Sequence, residues 1–88
     1  MNITKEFGEI FSGTQETTEE ERDVLLDAML FMRDDVETGL AQEVITLWAG
    51  KITGIIEFLS GTGKINEEQE EQLSMMLNRI ESGEAAAE

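Results

Sequence analysis

The chain predicts an all-α protein, a small four-helix bundle built from two αα-hairpins. Three observations lead there. Apolar residues recur at helical spacing in four stretches. Proline is absent from all 88 residues, so nothing breaks a helix from within. Glycine, paired with serine or threonine, punctuates the stretches cleanly.

The first stretch places Ile3, Phe7, Ile10 and Phe11 at i, i+4, i+7 and i+8, one face of a short helix with Lys5, Glu6 and Glu9 turned away. Ser12 and Gly13 end it. The second begins at TTEEE, where Thr17 or Thr18 can cap and Glu20 or Glu21 stands at the capping-box position, with further acids favoured by the helix dipole. It runs to Glu37. Its apolar arc is broad: Val24, Leu25, Ala28, Met29, Phe31, Met32 and Val36 make the main face, and Leu26 and Leu30 extend it round the side. So wide an arc calls for cover from more than one direction.

Thr38 and Gly39 break the chain before residues 40 to 60, where Ala41, Val44, Ile45, Trp48, Ile52, Ile55, Ile56 and Leu59 form one stripe at a 3.6-residue period. This predicts the central core helix. Gly50 and Gly54 lie on its far face, each costing about 1 kcal/mol against alanine, which implies a bend or a closely packed backbone. The last helix starts after Asn66, with Gln69 completing a capping box, and buries Leu73, Met76, Leu77 and Ile80. Ser82 and Gly83 stop it. Residues 1–83 therefore form a single domain, and 84–88 a tail that frays.

An internal echo supports the pairing into hairpins. FSGTQETTEEE at 11–21 matches LSGTGKINEEQ at 59–69 with an offset of 48, five of eleven positions being identical. Duplication and convergence on one turn chemistry both explain it. Each copy reads helix, Ser-Gly-Thr turn, cap, acidic helix, giving short outer and long inner segments. A second copy of the chain can complete such a bundle, and a homodimer stays open.

Composition narrows function. With no cysteine and no histidine, disulfides, thiolate nucleophiles, the common zinc ligands and the usual neutral-pH general base are all missing. An enzyme is not expected, and no cofactor or metal is called for. FLSGTGK at 58–64 looks like the end of a phosphate-binding loop, but Phe58 stands where such a loop needs its first glycine and Ile65 where it needs serine or threonine. It also follows a helix instead of a strand. Gly61 reads better as the left-handed residue that closes that helix.

Acid clusters at Glu19–Asp23, at Asp34, Asp35 and Glu37, and at Glu67–Glu71 lack the alternating pattern of a calcium loop. The N-terminus carries acids and no long apolar run, unlike a secretory signal. The most apolar window, 40–59, holds Glu43, Lys51 and Glu57 and makes a poor membrane span. A cytoplasmic protein is expected.

The balance of 20 acidic against 6 basic residues, net −14, repels nucleic acid directly and favours a basic partner. On the second helix Glu20, Asp23, Asp27 and Asp34 fall in one stripe about 21 Å long, with Leu30 interrupting it and Leu26 beside it. Like charges so placed oppose each other. Either this is an ordinary solvated face, or the stripe has a use, and Glu67, Glu68 and Glu71 add to it at the start of the last helix.

These eight residues, Glu20, Asp23, Asp27, Leu30, Asp34, Glu67, Glu68 and Glu71, are the candidate partner-binding set. The composition is similar to that of polyanion-mimicking proteins carried by phages and mobile elements, a likeness of class without a shared motif. The expected function is thus a non-enzymatic DNA mimic, an inhibitor or decoy of a basic nucleic-acid-binding protein. The alternative is a self-associating helical assembly module.

Overall fold

The computed structural model describes residues 2–13 and 16–84, and among these the chain forms four helices and no strand: α1 (Ile3–Ile10), α2 (Glu19–Glu37), α3 (Gln42–Gly61) and α4 (Glu67–Glu81). The all-α four-helix expectation holds, within overall extents of 37 × 22 × 21 Å. The expected fray at the C-terminus falls, from residue 85 onward, outside the described residues.

Local chemistry sets the boundaries. Thr18 Oγ1 accepts from the Glu21 amide (3.1 Å) while Glu21 Oε1 accepts from the Thr18 amide (2.8 Å). Asn66 and Gln69 repeat the exchange at 2.7 and 2.9 Å. These reciprocal bonds satisfy amides that the first helical turn leaves open. The two caps are 48 residues apart, so the internal echo holds there; Thr14 and Gln15 within the first copy lie outside the described residues.

At the turns themselves the copies differ. Gly13 is left-handed (φ 88°), but its counterpart Gly61 is helical and Gly63 takes the left-handed position (φ 74°). The expectation for Gly61 is corrected accordingly. The Thr62 amide keeps the helical bond to the Phe58 carbonyl (3.0 Å), which its Oγ1 also meets (2.8 Å), and the Lys64 amide then closes onto the Leu59 carbonyl (2.8 Å). Ala41 differs too: it is the exposed N-cap of α3 and no part of the core stripe.

Packing joins α2, α3 and α4 to one another, whereas α1 lies across α2 and α4 and does not pack on α3. Gln69 Nε2 donates to the Ile10 carbonyl (3.1 Å), and Arg79 pairs with Glu6 (3.2 Å). These contacts fix α1 antiparallel to α4. Arg22 Nη1 donates to both the carbonyl (2.7 Å) and Oγ1 (3.0 Å) of buried Thr17, holding the α1–α2 connection against the bundle.

Ile3, Phe7 and Phe11 of the α1 segment reach the core, where Leu25, Met29 and Met32 of α2 meet Ile52 and Leu59 of α3 and Leu73 and Ile80 of α4. All four predicted α4 core residues are buried, and so is Ile65 in the preceding loop. Each large side chain removed from water contributes about 1.5–3 kcal/mol. By length and composition α3 is apolar enough to cross a membrane, with mean hydropathy 1.3. Glu43 stands at the edge of that helix, and Lys51 and Glu57 lie within it. Here α3 serves as the core helix of a compact bundle.

Lys64, the lysine of FLSGTGK, pairs with Glu21 (3.2 Å). The Thr18 amide, with Lys64 assisting against partial burial, holds the Glu21 carboxyl below the usual glutamate range. A group depressed in the folded state stabilises fully above its unfolded pKa, and that contribution fades as pH falls through the folded value. The stability advantage of the native chain over Glu21→Gln is therefore expected at neutral pH and should vanish on acidification through Glu21's lowered pKa, in paired urea titrations. Thr18→Ala and Asn66→Ala should each cost about 1 kcal/mol, read as a lower urea midpoint at unchanged slope.

Candidate protein-docking surface on α2 and α3

Successive residues of a helix turn by about 100°, so the apolar residues of α3 do not all share one narrow face. Ile45, Ile52, Ile56 and Leu59 are buried, while Val44, Trp48 and Ile55 are half-buried. Leu47 (74% exposed) and Phe58 (62%) carry the apolar surface further round, into solvent. On α2, Val24 (55%) and Phe31 (58%) rise to the same seam. Both were expected on the core face. The buried arc is instead centred on Leu25, Ala28, Met29 and Met32, and the α3-side edge of α2 stays open because α1 covers the opposite edge.

Trp48 anchors the middle of the seam. Its Nε1 donates to Asp35 Oδ2 (2.6 Å), its ring stacks on Phe31 (centroids 6.0 Å apart, planes 16° apart), and Lys51 Nζ sits 5.2 Å from its centroid. The tryptophan thus packs, as its place on the core stripe predicted, and it also presents an edge at the surface. Two shallow depressions of about 260 Å³ each lie along the seam. Val24, Ile55 and Phe58 line one, and Val44, Leu47 and Trp48 the other.

Glu20, Asp23, Asp27 and Asp34 are all exposed, and on the helix they follow directly outside Val24 and Phe31. The acidic stripe therefore borders the apolar seam along its length. Asp34 pairs with Arg33 (3.1 Å). Glu20, Asp23 and Asp27 have no ion-pair partner among the described residues. Leu30 is half-buried and packs against the core; the apolar side chain beside the acids is its neighbour Phe31. Glu67, Glu68 and Glu71 are exposed at the start of α4, gathered at the bundle end where Lys64 meets Glu21.

Leu47 and Phe58 are the residues sequence reasoning passed over. Their signal lay in the total width of the α3 apolar arc, which with them exceeds what one core-facing stripe buries. On the far side, Gly50 and Gly54 are exposed, and a Cβ added to either would meet nothing within 4 Å. No backbone of the described residues packs there, and α3 is a single continuous helix.

A larger depression of about 430 Å³ between the end of α1 and the start of α4 is polar, with Glu9, Glu16, Glu68 and Lys64 on its walls. No trio of acidic side chains among the described residues is arranged to hold a metal ion. Compared with family models, curated proteins and solved structures, the chain matches none.

If the seam is a surface and not part of the folding core, Leu47→Ser and Phe58→Ser should each leave stability within about 0.5 kcal/mol of the native chain. Ile52→Ala, between them on the same helix but fully buried, should cost about 2–5 kcal/mol. Urea denaturation of the three variants checks the contrast.

Proposed function

We propose that this protein acts by binding and not by catalysis, as an acidic decoy that occupies the nucleic-acid-binding surface of a basic partner and keeps DNA or RNA away from it. The observation that carries this reading is the exposed row on α2, about 21 Å long, in which three of the four carboxylates lack an ion-pair partner among the described residues. Unpaired carboxylates on a rigid helix can meet lysine and arginine side chains that otherwise hold phosphates. The net charge of −14 attracts such a partner over long range and speeds encounter. It also disfavours direct contact with nucleic acid and with anionic membrane surfaces. A cytoplasmic setting, where such partners reside, belongs to the same proposal, as does kinship in style with inhibitors of phages and mobile elements.

A second reading, a self-associating assembly module, draws on the exposed apolar seam, since unpartnered faces of this kind commonly mark contacts between chains. Sedimentation at low micromolar concentration separates the two. A monomer supports the decoy, and a tight dimer or larger ring supports assembly.

The decoy reading is tested by competition. A panel of basic DNA-binding proteins, each holding a labelled duplex, is titrated with this protein across a salt series. Displacement should be strong at low salt and fall steeply as salt rises. Exposed ion pairs contribute up to about 1 kcal/mol each, so Asp23→Asn/Asp27→Asn should weaken displacement roughly tenfold. Failure to displace any member of the panel, or displacement indifferent to salt, removes the decoy reading.

A further inference from the structure

We infer that the α2/α3 seam receives an amphipathic basic helix from the partner; this rests on the proposal that the partner is basic and specifies how it is held. The bundle itself supplies the precedent. Its α2/α4 side is covered by the α1 segment, which inserts Ile3, Phe7 and Phe11, an i, i+4, i+8 set of anchors. The α2/α3 side offers a comparable place, and among the described residues no further helix packs over it. From Val44 to Phe58 the seam runs fourteen residues, about 21 Å, the length of a four-turn helix. The depressions beside Val24 and beside Leu47 suit apolar side chains spaced along such a helix.

Charge decides what kind of helix fits. Along the α2 border stand Glu20, Asp23, Asp27 and Asp34, and Glu43 adjoins Leu47 on the α3 border. Within the seam the single cation is Lys51, folded over Trp48. An occupant with apolar residues on one face and lysine or arginine on its flanks satisfies both features. A second copy of this chain does not: its own seam carries the same acidic border, and docking two such faces sets carboxylates against carboxylates with one lysine from each side to offset them. The acidic row supplies attraction and orientation, and the apolar anchors slow release.

Three synthetic peptides test the inference by calorimetry and by emission of Trp48, the only tryptophan. The first is an eighteen-residue leucine–lysine peptide with leucines at i, i+3, i+4 and i+7 repeats, the second a scramble of the same composition without an apolar face, the third an oligolysine of equal charge. The amphipathic peptide should bind at least tenfold more tightly than either control and shift Trp48 emission to the blue. Leu47→Ser/Phe58→Ser, which leaves every carboxylate in place, should erase that preference while retaining weak, salt-sensitive binding of all three peptides.

Equal binding of all three peptides to the native chain, with Trp48 emission unmoved, overturns the seam inference and leaves the acidic-decoy reading standing. Absence of binding by any peptide overturns the inference, and if no DNA-binding protein in the competition panel responds either, the decoy reading falls with it. A concentration-dependent dimer that Leu47→Ser/Phe58→Ser dissociates assigns the seam to a second copy and overturns it as well. The readout on the native chain with the three peptides is decisive even if the double variant folds poorly.

Discussion

Three long helices packed around one core leave three outward seams, and the described residues provide a single short helix to cover them. That shortage governs the molecule. α1 settles across α2 and α4, where Ile3, Phe7 and Phe11 complete the core. The core is consequently weighted to that side, and Leu26 and Leu30 of α2, which face that way, become half-buried. On the other side the apolar arcs of α2 and α3 continue beyond the contact line between the two helices. Val24, Phe31, Leu47 and Phe58 remain in solvent for this reason, not because their own sequence context is polar. Trp48, bonded to Asp35 and stacked on Phe31, ties α3 to α2 at the middle of the seam without closing it.

The second shortage is of cations. Of six basic residues, Arg22 is committed to Thr17, Lys64 to Glu21, Arg79 to Glu6, Arg33 to Asp34, and Lys51 to the face of Trp48. Apart from the local Arg33–Asp34 pair on α2, these contacts tie loops and helices together or lie within the seam. Little positive charge is left for the outer face of α2, where like charges near one another cost a few tenths of a kcal/mol per pair. The cost is tolerable for the fold, and the result is a row of carboxylates alongside an apolar strip. A surface with an apolar centre and a charged border has the anatomy of a protein interface.

Most of the secondary structure was legible because its determinants are local. Asn66 with Gln69 and Thr18 with Glu21 identify two helix starts by spacing alone, and Leu73, Met76, Leu77 and Ile80 declare the inner face of α4 through a narrow period. The left-handed residue after α3 is Gly63 and not Gly61, because the Thr62 amide still bonds back to the Phe58 carbonyl and carries the helical pattern past Gly61. Among the candidate site residues, Glu20, Asp23, Asp27 and Asp34 could be placed on one stripe from helical geometry. Leu30 could not be told from Phe31 as the apolar side chain beside them, because α2 has apolar residues on nearly every side and its own periodicity does not say which edge faces a neighbour.

By itself, then, the sequence determined four helices, the capped starts of two of them, and an acidic surface poor in cations, all of which follow from spacing, capping chemistry and composition. Only the tertiary structure decided which part of the broad apolar arcs would be covered. That outcome turns on where α1 packs, a choice made by contacts between residues as distant as Glu6 and Arg79 or Ile10 and Gln69. Helical periodicity sees one helix at a time, and an exposed seam is a property of three.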